Sequence, residues 1–340
     1  MSGNENAAVK VLVIGRGRFA RTLLAHLCGV LDEGAQIVQC YRDARLASSA
    51  GNAFAAPRVR QAPMRTLLGE EGLANLQALM ASFKPDVIVS AASAYSPYGS
   101  GPGAGAPFGS TLPLQLPIAT NVARAAHSCG NDGLLLNACY PELVNPVARL
   151  LGTPFDAGLG NAQTLNWAQD FGSQGDRFQA LAHHSHLGKT PRKMPLMYDA
   201  TSGLIQEPMA ACIEALDRRR ALSREERNDI GATAAASLIA ELAMSPSVTA
   251  CLPGVGVETG AMPVSLGRAA QPCIKLSGAD LNQVRARHRQ ECMAEGWDIR
   301  DDVLELSSDA RVGMGTMAPP DTRVNGTDLG TWVSSLEGWL

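Results

Sequence analysis

The stretch VKVLVI at residues 9–14, followed by Gly15-Arg16-Gly17-Arg18-Phe19-Ala20, decides the fold. A short apolar run of this kind is typical of a buried strand, and the following ARTLLAHLCGVL has the apolar spacing of a helix. In such a turn the first glycine permits the tight bend and the second lets backbone approach a pyrophosphate, while a small third residue lets the helix pack on the strand. The pattern predicts a dinucleotide-binding unit; the alternative is a turn that needs glycines only for packing.

Apolar runs alternate with segments of helix length through the first 150 residues. Further strands are predicted at 35–41 (AQIVQCY), 86–92 (DVIVSAA) and 133–138 (GLLLNA), with a less clear one near 57–60. Helices are predicted at 70–83 (EEGLANLQALMASF) and 117–129 (PIATNVARAAHSC). This alternation predicts an α/β fold built on a Rossmann doubly wound parallel sheet.

The second half has a different pattern. Ser223 and Glu226 form a capping-box pattern that opens a helix running to about residue 244. Residues 248–267 and 273–277 read as antiparallel strands with glycine-rich turns, and 279–295 as a helix. We therefore predict a dinucleotide-binding domain at 1–150, an α+β catalytic domain with antiparallel strands at 151–310, and a C-terminal extension at 311–340.

Composition excludes several functional classes. The 340 residues include 29 Lys and Arg against 32 Asp and Glu, a formal net charge of −3, which argues against a nucleic-acid binder. No apolar stretch is long enough to cross a bilayer, and MSGNENAAVK at the start has no secretory pattern. The eight cysteines include no C-x-x-C pair, which favours reduced thiols over a zinc site. We expect a cytoplasmic protein without a metal, a membrane contact or a nucleic-acid partner.

The end of the second strand bears on the choice of dinucleotide. Arg42 and Arg45 are placed to clamp a 2′-phosphate, and Arg16 and Arg18 add positive charge in the phosphate loop. These arginines favour NADP. The alternative is NAD, with Asp43 accepting hydrogen bonds from the ribose hydroxyls.

Taken in order, several segments resemble the lactate/malate dehydrogenase superfamily. The glycine turn is followed by DVIVSAA, by Asn121 in a helix, and by Asn137 before CYPELVNPVARLLG. Residues 182–196, AHHSHLGKTPRKMPL, are similar to the family's catalytic-histidine segment, and MPVSLG at 262–267 fits its terminal sheet.

This resemblance implies an NAD(P)-dependent dehydrogenase that acts on CH–OH groups and forms a homodimer or homotetramer. It implies that His186 is the general acid/base, with His184 as runner-up two positions earlier in a predicted strand, and that Asn137 lies near the reacting oxygen. Asn166 falls where the family has the carboxylate that orients this histidine, and Gln169 where it has the substrate-binding arginine. The implied cofactor contacts are the glycine turn (Gly15, Arg16, Gly17, Arg18, Phe19, Ala20), Arg42, Arg45, Ala91, Ala92 and Asn121.

The substrate pocket is predicted to lack the family's arginines. The chain has no basic residue between Lys84 and Arg124, and the Gly- and Pro-rich loop at 93–113 offers Tyr95 and Tyr98 for substrate contacts. We therefore expect an alcohol/ketone substrate other than malate or lactate. Three alternatives stay open: a 2-hydroxy-acid dehydrogenase with relocated cations, an inactive dinucleotide-binding sensor, and an NAD-dependent glycosidase of related fold using Cys139, which otherwise reads as a small buried thiol.

Overall fold

A six-stranded, fully parallel sheet forms the first half of the protein. The computed structural model describes residues 8–43, 58–95, 106–160, 178–187, 194–199, 201–205, 210–267 and 270–340. The strands lie in the order β3-β2-β1-β4-β5-β6, in which the chain reverses direction across the sheet between β1 and β4. Their bounds are β1 Lys10–Ile14, β2 Gln36–Arg42, β3 Val59–Met64, β4 Val87–Ser90, β5 Leu134–Asn137 and β6 Ala157–Gly158.

Four helices connect these strands: α1 Arg18–Val30, α2 Gly69–Phe83, α3 Leu112–Ser128 and α4 Pro141–Leu150. Side chains alternate between the two faces of a strand, so β1 contributes to two cores. Val11 and Val13 pack with α1, whereas Leu12 and Ile14 pack with α2, α3 and α4. The α3 helix begins five residues before the predicted start, because Pro117 is accommodated inside the helix instead of opening it.

The second half supplies three small antiparallel sheets and five helices among the described residues. The sheets are β7–β9 (Phe178–Leu181, Leu196–Asp199, Gly203–Ile205), β10–β12 (Val248–Leu252, Met262–Gly267, Ala270–Ile274) and β13–β15 (Trp297–Arg300, Val303–Leu306, Arg323–Asn325). The helices are α5 Ala210–Ala221, α6 Arg224–Met244, α7 Gly278–Ala294, α8 Ser308–Met314 and α9 Gly326–Leu336. Ser223 and Glu226 form the predicted capping box at the start of α6.

Helices of the second half pack against the helices that cover the two faces of the parallel sheet. Helix α6 lies along α1 on one face, and α9 lies against α3 on the other. The predicted fold class, a Rossmann sheet followed by α+β elements with antiparallel strands, is confirmed. The domain boundaries at 150 and 310 stay predictions; β6 extends the parallel sheet to Gly158.

Candidate active site

A cavity of about 470 Å³ opens where β1 and β4 end. In doubly wound sheets this reversal of strand order is where ligands bind. The glycine turn forms one wall, and residues from α4, the His184 segment and α6 form others. The lining residues are Gly15, Arg16, Gly17, Arg18, Phe19, Tyr41, Arg42, Leu67, Ala91, Ala92, Ser93, Phe108, Gln115, Ile118, Ala138, Cys139, Tyr140, Pro141, Glu142, Leu159, Gly160, His184, Arg224 and Asn228.

The two glycines of the turn, Gly15 and Gly17, differ in what a side chain at each position would meet. Gly15 has a φ of +142°, and a Cβ built there would lie 2.5 Å from the carbonyl oxygen of Ala91, so this position requires glycine. Gly17 precedes the first turn of α1, and a Cβ there would meet no atom within 4 Å. Open space before a helix N-terminus, with no side chain capping its N–H groups, suits a phosphate. Ala20 is fully buried where α1 packs on the sheet.

The arginines of this region divide between the cavity and the fold. Arg16 lies 4.8 Å from the centre of the Tyr41 ring and 3.9 Å from Asp43. The Nη2 of Arg42 donates to the carbonyl of Ala94 at 3.2 Å, which holds this side chain at the end of β2. These two guanidinium groups are available at the cavity wall.

Arg18 also lines the cavity, but its guanidinium is bound by a carboxylate of another helix. Its guanidinium makes a two-point contact with Asp229 of α6, with Nε 3.0 Å from Oδ1 and Nη2 2.5 Å from Oδ2. Thr22 donates to the same carboxylate at 2.9 Å. Arg18, followed by the contacts from Thr22, lowers the pKa of Asp229. Arg18 therefore joins the first turn of α1 to α6.

The histidine that faces this cavity is His184. It begins a short 3₁₀ turn, His184–Leu187, whose carbonyls at 186 and 187 accept hydrogen bonds from Arg220 and Arg227. Its Nδ1 lies 2.9 Å from Oε1 of Glu295, and its ring stacks on Phe108 with 4.4 Å between ring centres. Burial alone lowers the pKa of His184, but the charge of Glu295 and its hydrogen bond raise it above the ordinary value.

Glu295 is held by a hydrogen-bonded chain. Its Oε2 accepts from the Tyr140 hydroxyl, and that hydroxyl oxygen accepts from the Trp297 Nε1 at 2.8 Å. Burial raises the pKa of Glu295, but His184, His183 and the hydrogen bonds outweigh it and lower the pKa to about 2. Glu295 is therefore an ionised carboxylate that accepts a hydrogen bond from Nδ1–H of His184. The other ring nitrogen, Nε2, is left to exchange a proton with a ligand.

Two further titratable groups line the cavity. Cys139 lies on the connection between β5 and α4, and Glu142 lies in the first turn of α4. Glu142 is 1% exposed, and burial raises its pKa to about 7, partly offset by the charge of His184 and by backbone N–H groups of residues 142 and 184. Burial also raises the pKa of Cys139 to about 12, so this residue is a neutral thiol at physiological pH. The thiol interpretation from the sequence agrees with this environment.

His186 does not line the cavity, in contrast to its predicted place. Its side chain is fully buried, and its Nδ1 accepts the backbone N–H of His183 at 2.8 Å. Burial lowers the pKa of His186 well below the ordinary value, which keeps the ring neutral. The cause is the 3₁₀ turn: residues two apart lie on one face of a strand, but in a 3₁₀ turn they differ by about 120°.

Two amides predicted at the site instead hold loops. Asn137 donates to the carbonyl of Cys139 at 3.0 Å and to Oδ1 of Asn145 at 2.8 Å, and it accepts the Cys139 N–H, so it closes the turn after β5. Asn121 is buried and donates to the carbonyls of Leu67 and Gly69. Both amides lie outside the cavity lining.

The other predictions divide by whether they fall on described residues. Ala91 and Ala92 line the cavity, as do Phe19 and Arg42, whereas Tyr95 is 54% exposed outside it. Four predicted residues lie outside the described part of the chain: Arg45, Tyr98, Asn166 and Gln169. No group of three or more potential metal ligands occurs among the described residues. The described helices include none that is long and apolar enough to cross a membrane.

Sequence reasoning missed the residues that arrive from distant segments. Glu295 follows α7, 111 positions after His184, with nothing local to mark it. Arg224 and Asn228 reach the cavity from the first turns of α6, where the capping box marked only the helix start. Glu142 was visible only as an acidic residue at a helix N-terminus.

The parallel sheet, the glycine turn and the cavity at the point of reversal define a Rossmann-type α/β protein. Among solved structures, the chain is similar to the 6-phospho-beta glucosidase from Thermotoga maritima, with a TM-score of 0.52, 11% sequence identity, and coverage of 84% of this chain and 89% of that one. This likeness establishes a shared fold. No protein-family model matches the chain, and no curated protein matches it.

Proposed function

We propose that this protein is an NAD(P)-dependent oxidoreductase that interconverts an alcohol and a ketone, with His184 as general acid/base. The observation that carries the proposal is the shared cavity: the glycine turn and His184 line the same space, and Glu295 holds the His184 ring from outside the lining. The turn suits a pyrophosphate because Gly17 leaves open space before α1. The glycine turn would hold a nicotinamide dinucleotide, which would supply hydride transfer at the carbinol carbon.

The proton follows a path set by the orientation of the imidazole. For alcohol oxidation, neutral His184 accepts the hydroxyl proton at Nε2 while its Nδ1–H donates a hydrogen bond to Glu295. For carbonyl reduction, protonated His184 donates from Nε2 to the oxygen. Glu295 stabilises the imidazolium, which is the task of the family's carboxylate at the position that Asn166 occupies in this chain. Phe108 covers one face of the ring and restricts its rotation.

The cofactor in this proposal is NADP, with NAD as the alternative. Arg42 and Arg16 are the two guanidinium groups at the end of β2 and in the turn, where a 2′-phosphate lies in enzymes of this fold. The nearby Asp43, 3.9 Å from Arg16, favours NAD because its carboxylate accepts ribose hydroxyl groups. The two cofactors are separated by comparing NADPH and NADH affinities.

A second candidate function is a 2-hydroxy-acid dehydrogenase with a relocated cation. Arg224 of α6 lines the cavity, so a guanidinium is present although residue 169 is Gln. In this reading Arg224→Gln raises KM for malate or lactate, and the wild type oxidises these acids faster than neutral alcohols.

The two histidines provide a matched test of the proposal. His184→Ala is expected to lower turnover on an alcohol/ketone panel by about 10²–10⁴-fold, with the Kd for NADPH near the wild-type value. His186→Ala is the control, because it lies outside the cavity and is expected to affect stability more than turnover. Cofactor binding is followed by NADPH fluorescence. A full loss of turnover in His186→Ala with normal activity in His184→Ala would overturn the assignment.

A further inference from the structure

The proposed function leaves Glu142 without a role. This residue lies in the first turn of α4 and lines the cavity, yet its side chain is almost completely buried. Its Oε1 has no hydrogen-bond partner among the described residues. A buried oxygen without a partner is destabilising, so such an atom at a cavity wall indicates a bond that a ligand completes.

This oxygen lies beside a glycine of the cavity wall. Gly160 lines the same wall, and a Cβ built there would lie 3.5 Å from Oε1 of Glu142. The charge and the backbone N–H of His184 both lower the pKa of the Glu142 carboxyl. The carboxyl and the proposed acid/base are therefore neighbours.

The charges around Glu142 select the chemistry of the missing partner. A carboxylate on the substrate would lie against the carboxyl of Glu142, while His184 is already paired with the ionised Glu295. A hydroxyl group is complementary instead, because it donates to a carboxylate and can accept from a protonated carboxyl. A substrate amine is the remaining donor, and His184 opposes it whenever the imidazole is protonated.

Resting on the proposed function, we propose that Glu142 binds a second substrate hydroxyl adjacent to the one that His184 deprotonates. The substrate class is then a vicinal diol or polyol, and neither a monoalcohol nor a 2-hydroxy acid. Oxidation converts one hydroxyl to a carbonyl, with hydride passing to NADP⁺ and the proton to His184. Glu142 keeps the neighbouring hydroxyl in place and exchanges no atoms with it.

Two matched probes test this inference: trans-1,2-cyclohexanediol and cyclohexanol, which differ by one hydroxyl. Wild-type kcat/KM with NADP⁺ is expected to be at least about tenfold higher for the diol, the order expected when a buried group regains its hydrogen bond. Glu142→Leu removes this preference, and Glu142→Gln, whose amide still hydrogen-bonds, retains part of it. NADPH affinity shows that each variant remains folded and binds cofactor.

Binding measured separately distinguishes the two proposals. Saturation-transfer NMR compares both probes, and trans-2-aminocyclohexanol, on the NADP⁺ complex. Preferential diol binding that depends on Glu142, but without turnover, supports the diol site and overturns hydride transfer. Turnover of both alcohols at equal kcat/KM, a preference that survives in Glu142→Leu, stronger binding of the amino alcohol, or no binding of either alcohol overturns the diol site.

Discussion

Replacing Glu295 with Gln removes one charge from the pair that orients His184. The pKa of Glu295 falls from 4.5 to about 2, a difference of about 2.5 units or ~3 kcal/mol in favour of the charged form, although burial opposes it. His184 is the main stabilising charge, so the interaction must act equally on the imidazole. Without it, burial dominates, and we expect the pKa of His184 to fall below its wild-type value.

The assay is the pH dependence of kcat in both directions. Alcohol oxidation needs neutral His184, so its acid limb should move to lower pH in Glu295→Gln, while carbonyl reduction loses activity at neutral pH. Turnover should also fall by about 10²-fold or more, because an amide can donate to Nδ1 and impose the wrong tautomer.

The matched control is Glu291→Gln, in the last turn of α7 just before Glu295. Glu291 accepts from Ser185 at 2.6 Å and does not line the cavity, so this variant should keep the wild-type acid limb. Circular dichroism checks that both variants fold. An unmoved acid limb in Glu295→Gln, or the same movement in both variants, would refute the reasoning.

Three other predictions concern the cofactor and the core. Arg42→Asp should weaken NADPH binding by about 1–3 kcal/mol in a fluorescence titration, and an unchanged Kd would argue against a 2′-phosphate contact. Gly17→Ala should keep the wild-type Tm but weaken dinucleotide binding, whereas Gly15→Ala should lower Tm, because its Cβ would lie 2.5 Å from a carbonyl oxygen; equal Tm values would contradict this. Burial lowers the pKa of His288 from 6.5 to about 4, so between these two pH values the unfolded chain binds the proton and the folded chain does not. The free energy of unfolding should therefore fall as the pH is lowered, by about 2 kcal/mol from pH 7 to pH 5. Urea unfolding of wild type and His288→Gln measures this, and identical pH slopes would count against it.

The parallel-sheet half could be predicted because its determinants are local. The run before Gly15, the glycine turn and the apolar helix face lie within about 25 residues, and each constrains the next. Strand β4 opens with the apolar run VIV and is buried along its whole length, as expected for a parallel strand buried on both faces. Such features need no knowledge of distant contacts.

The site could be predicted only in part, since its geometry depends on long-range contacts. The family resemblance favours His186, and a strand would place His184 on the same face, but the 3₁₀ turn separates the two rings. Asn137 has the residue type expected for a catalytic amide, but its side-chain amide is hydrogen-bonded to the backbone of Cys139 in the turn after β5. Glu295 reaches His184 across 111 residues, and no spacing rule predicts that approach.

The imidazole, the carboxylate and the phenol of this chain come from three segments centred on His184, Glu295 and Tyr140. None of the three is oriented by its own neighbours in sequence. In a refolding chain, the ring can acquire a fixed tautomer only after the end of α7 has docked beside the start of α4. Recovery of turnover would therefore report when these distant segments dock. It should come later than the return of the helical signal from the helices that connect the parallel strands.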